Sequence, residues 1–393
     1  MADRGALEAA AAAGVINAEQ VGPLHDFLSS SAAGVAAAPS GEEDLRFIRN
    51  FHDVFLAIGI VLLAIGLAVA VTVYVTTSGI EDPQTGAITT GALFLGCGAL
   101  MWGLGEVFAR RRRLFLPAIA IVISLTGFLI VATALLYAGV LVGTGFDGDG
   151  LDWSSMPPQL RWGILLAAAM AFIAPFAFYL RFRLPFSLGL VGGGIAGFIV
   201  IAAMIANFET TMQYLPVLSL VLGIMLFIAA VGFDARDPAR TTRFSDNGFW
   251  LHFAAAPLIL NGTFGLIGMA FGNQFAAGGT GALLQSAAEG QGQATAHAAL
   301  TLLVVAGLGV LSLLINRRVL IVSTLITTGV AIGVLMNAVG IGAGGLAASV
   351  LIVLGAFVLI LGGSWHTARR ALLGWVKPGG AWARIFPPEN LAT

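Results

Sequence analysis

Ten stretches of predominantly apolar residues fill most of this chain and constrain it more than any other feature. Each is close to the roughly 20 residues that a helix needs to cross a bilayer. They fall at approximately 54–77, 87–108, 114–142, 161–180, 185–206, 213–233, 248–271, 295–315, 319–340 and 345–363. Inside hydrocarbon no water serves the backbone N–H and C=O groups, so each run must satisfy itself as a helix. The runs are too continuous for barrel strands, which alternate between lipid and lumen. Only 10% of the 393 residues are charged, against roughly a quarter in soluble domains, which excludes a water-soluble globular enzyme. Nineteen basic and 20 acidic residues nearly balance, so no basic excess points to nucleic acid. A single cysteine, Cys97, leaves no intramolecular disulfide to form. The expected fold is an all-α integral membrane protein of about ten transmembrane helices.

Loop charge orients those helices. With a cytoplasmic N-terminus, the inner segments carry Arg4, Arg46, Arg49, Arg110 to Arg113, Arg181, Arg183, Arg236, Arg240, Arg243, Arg317, Arg318, Arg369, Arg370, Lys377 and Arg384. The outer loops keep Arg161 alone among basic residues, beside Glu81, Asp82, Asp147, Asp149, Asp152, Glu209 and Glu289. Basic residues in short loops resist translocation, so both termini are expected inside.

Three regions follow: a cytoplasmic helical segment and linker at 1–45, a ten-helix domain at 46–363, and an interfacial tail at 364–393. In the first, residues 3–13 read as a short Ala-rich helix ending at Gly14. Asn17 and Gln20 have the spacing of a capping box for a second helix, and small residues at 31–41 form a linker. Arg46-Phe47-Ile48-Arg49-Asn50-Phe51-His52-Asp53 then leads into the first span. This N-terminal pair and its entry into the membrane resemble uncharacterised bacterial predicted membrane proteins bearing domain of unknown function 2157. The resemblance covers mainly residues 1–70. It implies a bacterial inner-membrane location and supplies no activity, cofactor or catalytic residue. In the tail, Trp365, Trp375, Trp382 and Phe386 alternate with Arg369, Arg370, Lys377 and Arg384. That mixture suits the headgroup region of the inner leaflet. The tail and the N-terminal helices are also the candidate contacts for a protein partner.

Small residues mark close helix packing, because helices in lipid gain little from apolar burial alone. Gly91, Gly98 and Gly105 lie on one heptad stripe of the second span. Gly189, Gly193 and Gly197 form two GxxxG steps in the fifth, serving either the bundle or a homodimer seam. Basic turns at Arg110–Pro117, Arg181–Pro185 and Asn316–Leu320 recur between spans. They read as a remnant of hairpin duplication or simply as loops kept inside by their charge.

No Asp, Glu, Lys or Arg falls mid-span, where such groups mark ion or proton pathways. Glu106 comes nearest, with Arg110 one turn later as a salt-bridge partner. The richest polar stretch is the loop before the seventh span, where Asp234, Arg236, Asp237, Arg240, Arg243 and Asp246 alternate in sign and form a candidate paired network. His252 follows about one turn into the membrane, poised for a structural hydrogen bond to a backbone carbonyl or to the loop acids, or for a proton or substrate role. Pro257 removes a backbone donor and marks a candidate kink. Asn261 is set about half a turn round the helix from His252. In the ninth span Ser323, Thr327 and Asn337 cluster near one face, as glue between helices or as a polar path.

Gly143 to Gly148 matches GxGxxG without the strand and helix of a dinucleotide site. The acidic run at Asp147, Asp149 and Asp152 puts Pro158 where a calcium loop needs Glu. No nucleotide, zinc or serine-hydrolase motif is present, so neither cofactor nor catalytic constellation is expected. The reading that remains is a transporter or permease-like protein for a neutral or amphiphilic solute, or alternatively a non-catalytic membrane scaffold or sensor. Reporter fusions after Val107, Tyr179, Phe233 and Ile315 are predicted to read cytoplasmic, and a periplasmic signal from a reporter at Arg243 would overturn the topology.

Overall fold

The computed structural model describes residues 4–27, 51–143, 157–237, 242–270, 291–317, 328–329, 332–333 and 343–374. Every element among them is helical, as apolar segments with no outside partner for their backbone groups require. Two short helices, α1 (Arg4–Ala12) and α2 (residues 21–27), precede the long ones. These are α3 (Phe51–Thr77), α4 (Pro83–Gly105), α5 (Phe115–Gly143), α6 (Pro158–Phe182), α7 (Pro185–Ala206), α8 (Phe208–Asp234), α9 (Arg243–Ala270), α10 (Gln291–Ile315) and α11 (Ala343–Leu373).

Seven helices, α3 to α9, are long and apolar enough to cross a membrane. They correspond to the first seven expected spans, and they are consistent with a multi-pass helical membrane protein. The apolar part of α10 is shorter, Leu302–Ile315, and α11 bends by 59° between Leu351–Ile360 and Gly363–Leu373. The ninth run lies almost wholly outside the described residues, with 328–329 and 332–333 helical. Ser323, Thr327 and Asn337 fall outside the described residues, as do Arg240 and the acidic run at 147–152.

Local signals set the helix ends. Gly14 takes φ +72° after α1, a conformation that glycine adopts without strain, and the Asn17 N–H donates to Gln20 Oε1 at 3.0 Å. Asp82 caps α4 by accepting from Thr85 Oγ1 and, at 2.8 Å, from Thr85 N, and these hydrogen bonds hold its carboxyl below the usual carboxylate range. Asn207 caps α8 through Thr210 N at 2.9 Å. A π-helical turn, Glu106–Arg111, ends the second span. The three recurring basic turns share one backbone device, a left-handed residue: Arg113, Arg183 and Asn316 have φ of 54°, 55° and 55°.

Consecutive helices pack as antiparallel neighbours, with α7 also against α9, and α10 touching both α9 and α11. The glycine stripe of α4 lies inside the bundle. A Cβ at Gly91 would sit 2.9 Å from Leu136 N, one at Gly98 would meet Leu129, and one at Gly105 would meet Phe178 and Phe182. As the α4 numbers rise by seven from 91 to 98, their α5 partners fall by seven from 136 to 129. That is the signature of an antiparallel heptad seam. On α7, however, Gly189 is closed by Trp250 of α9, whereas Gly193 and Gly197 face open space. The three residues proposed for a homodimer seam therefore do not share one surface.

Two other regions are placed by the structure. α9 runs through Pro257 as one helix, and the ring lies on its exposed face rather than toward the bundle. Ring exposure also explains the tolerance: the missing donor and the clash fall on the outer side, where the helix can open slightly. In the tail, Trp365 is 2% exposed and packs on Leu313, with Nε1 donating to Asn316 Oδ1 at 3.0 Å. Arg369 is equally buried. The start of the tail thus belongs to the protein interior, because α11 continues past residue 363, buries Trp365 and Arg369, and packs Trp365 on α10.

Gly91→Val is expected to destabilise the bundle by about 1–3 kcal/mol through overpacking against Leu136. Gly127→Ala, whose Cβ meets nothing, should hold or raise the melting temperature in detergent. Equal melting of the two variants would contradict the α4–α5 seam.

Candidate functional site

The loop acid Asp234 is the last residue of α8, and α9 returns beside it. On α9, Ser245, Gly248 and His252 recur at helical spacing and present one face to it. Gly248 is required there, since a Cβ would collide with the Asp234 carboxylate. The His252 side chain is completely buried; its Nε2–H donates to Asp234 Oδ2 at 3.0 Å. Phe227 of α8 packs edge-on against the imidazole, ring centroids 4.9 Å apart.

The third member comes from α10. Arg317 follows the left-handed Asn316 and is 2% exposed. Its Nε donates to Asp234 Oδ2 at 3.1 Å, and its Nη2 donates to Oδ1 of the same carboxylate. Nη2 also donates to Ser245 O at 2.9 Å and Ser245 Oγ at 3.1 Å. The guanidinium lies 6.0 Å from the Phe249 ring centroid, and Ser312 Oγ closes the turn on Arg317 O. A bidentate fork of this kind is the strongest geometry available to a carboxylate. One carboxylate, one imidazole, one guanidinium and one hydroxyl thus join the ends of α8, α9 and α10.

The expected loop network is therefore redrawn. Asp234 and His252 belong together, as the sequence allowed, but Asp234 pairs with Arg317 from 83 residues away. Arg236 lies over Phe233 at 5.9 Å. Asp237 is buried and ties the loop shut by accepting from Thr242 N and Oγ1, at 2.8 and 2.6 Å. Arg243 and Asp246 face a separate pocket. Asn261 donates to Ser219 of α8 at 3.4 Å, well along the helix from His252, so the two are not one site. Glu106 accepts from Arg110 at 3.2 Å, as its spacing predicts, and from Arg181 of α6 at 2.7 Å. The second partner has no local signal in the sequence.

A different feature was not anticipated. Between α5, α6 and α7 runs an almost wholly apolar groove of about 470 Å³, open on one side. Tyr137, Gly163, Ala167, Gly193, Gly197 and Phe198 are among its lining residues. Gly163 admits Tyr137, whose hydroxyl donates to Gln159 O at 2.8 Å. Gly193 and Gly197 instead form an open wall, where an added Cβ would meet nothing within 4 Å.

Chemically, the buried cluster is charge-matched and closed. A carboxylate already engaged by a bidentate guanidinium gives up little by way of proton transfer, and His252 has no exposed surface to offer a solute. It acts as a clamp. The groove, by contrast, can accept an acyl chain or another apolar body.

Comparison with known protein families, with curated proteins and with solved structures finds no match to this chain.

Removing one partner of a buried ion pair strands the other charge, at a cost of about 3–5 kcal/mol, whereas replacing both with apolar residues is often neutral. Arg317→Met alone should therefore melt far earlier than the parent in detergent, and Asp234→Leu with Arg317→Met should recover most of the loss. Additive destabilisation in the double variant would refute the clamp.

Proposed function

We infer that this chain is a permease-like protein of the bacterial inner membrane whose solute is an amphiphile with a long apolar part. The observation that carries this reading is the groove between α5, α6 and α7, with its wall of Gly193 and Gly197 and its open side. A site for a small polar solute would need convergent polar groups, and this groove has almost none. An apolar solute arriving from the bilayer needs instead a lateral opening and room for a flexible chain. The reading places ten spans in the membrane with both termini cytoplasmic, the arginine-bearing turns inside, and no catalytic role, in keeping with the N-terminal resemblance to proteins bearing domain of unknown function 2157.

A second reading, a non-catalytic scaffold or sensor, draws support from the buried Asp234–His252–Arg317 clamp. That cluster fixes three helices at one end rather than lining a path. The N-terminal helices and the tail beyond residue 374 would then supply the contacts with a protein partner.

Reconstitution separates the two. Liposomes containing the full chain are expected to speed redistribution of a short-chain fluorescent phospholipid between leaflets. Gly193→Leu with Gly197→Leu should return the rate to the protein-free baseline at an unchanged melting temperature, because a Cβ at either position meets nothing within 4 Å and the longer side chains can enter the groove. Absence of any acceleration by the parent protein would sink the permease reading and leave the scaffold.

A further inference from the structure

Five arginines from three chain segments surround one pocket at the end of the bundle that carries the basic turns. The cavity, about 360 Å³, is lined by Arg110 and Arg113 after α4, Arg181 in the last turn of α6 and Arg183 just after it, and Arg243 and Asp246 at the start of α9. Arg110 and Arg181 are neutralised by Glu106. The others are not. Among the described residues, Arg113 and Arg243 pair with no carboxylate, and Arg183 has only the face of the Tyr179 ring at 5.9 Å. Asp246 is the one acidic side chain in the lining, so the pocket keeps an excess of positive charge.

The backbone adds a second observation. Arg113 and Arg183 both occupy the left-handed region, with φ of 54° and 55°, at the place after a helix where glycine is the common choice. Left-handed backbone is strained for a residue with a Cβ, and such strain concentrates at binding sites. In a chain with 52 glycines, two adjoining turns each keep an arginine at this position, and both arginines line the same cavity.

We propose that this pocket binds a phosphate-bearing anion, held by Arg113, Arg183 and Arg243. The planar guanidinium fork matches phosphate oxygens in a way that an ammonium cannot, and three forks from three segments enclose such a group from several sides. Basic pockets between helix ends are suited to anionic lipid headgroups. A phospholipid headgroup and free phosphate share the chemistry, so either can be the source. The proposal goes beyond the groove and does not rest on it: the same anion would be held whether or not a solute crosses.

The test uses the purified full-length chain in a neutral detergent at constant ionic strength. It is titrated calorimetrically with phosphatidylglycerol, with phosphatidylcholine and with inorganic phosphate. Saturable binding of phosphatidylglycerol or phosphate is expected, with phosphatidylcholine, whose headgroup carries no net charge, the weakest. Competition by inorganic phosphate at equal affinity identifies the free anion as ligand; its failure to compete identifies the headgroup. Arg113→Gly with Arg183→Gly and Arg243→Gln should weaken binding by at least about tenfold, as loss of three cationic contacts implies. Glycine suits both left-handed positions, so melting should hold, and the Gly pair alone serves if Arg243→Gln lowers it. Arg111→Gln with Arg112→Gln removes charge from the same turn outside the pocket and should change affinity by less than about twofold. Equal losses in the two sets, or no saturable binding of phosphatidylglycerol and phosphate alike, would overturn the site. Gly193→Leu with Gly197→Leu should bind like the parent, which keeps this result separate from the fate of the permease reading.

Discussion

Helices in a bilayer gain nothing by exchanging a lipid tail for a leucine, so their association depends on how closely their backbones can approach. This constraint shapes α4 to α9. Gly91, Gly98 and Gly105 admit the side chains of α5 and α6, Gly189 admits Trp250, and Gly223 and Gly262 bring α8 and α9 together. Each replaces a side chain by direct backbone contact, which raises the number of dispersion partners on both helices. The exposed faces of α3 and α8, with Leu62, Ile65, Val69, Met225 and Ile228 outward, need no such complementarity because fluid chains conform to them.

Against that background the Asp234–His252–Arg317 cluster is a separate kind of bond. Ionised groups are costly where water is excluded, and this one is bearable because every charge has an opposite beside it. Its position matters as much as its pairing. Asp234 ends α8, Ser245 and His252 open α9, and Arg317 follows α10, so one knot fixes the relative heights of three helices. Close glycine packing resists separation but permits sliding along a seam; a directional bidentate bond does not. The two interactions divide the work of fixing the bundle, with glycines setting distance and the ionic knot setting register.

What the sequence disclosed follows the same division. Features repeated along one helix were legible: the apolar length of the first seven spans, the heptad stripe of α4, the Glu106–Arg110 spacing, the Asn17–Gln20 cap. Even the partnership of His252 with a loop acid was within reach, since both flank one short connection. Features that depend on how a helix is rotated, or on a distant helix, were not. Pro257 was placed as a kink by its chemistry, yet its outward direction is fixed by the face that Ser245, Gly248 and His252 turn inward. Arg317 and Arg181 were read as topology signals because a basic residue after an apolar run looks the same whether it meets solvent or a carboxylate 83 or 75 residues away. The groove had no signature at all, for Gly193 and Gly197 spell the same motif as a packed contact.

The arginines at the basic end show what resolves that ambiguity. One set is compensated: Arg110 and Arg181 by Glu106, Arg317 by Asp234. These join helices, and none of them takes a positive φ. Arg113 and Arg183 are held in left-handed backbone, line a cavity and have no carboxylate among the described residues. Topology alone asks only that positive charge stay on one side, and it is indifferent to where on the turn the charge sits. Strain at a fixed position is therefore not explained by topology. Nor is it explained by the turn, which glycine would make at lower cost. What the two left-handed positions share is a place: both arginines line the same space between helices. Charge that lacks a carboxylate partner and gathers at one cavity is the arrangement that an anion would complete.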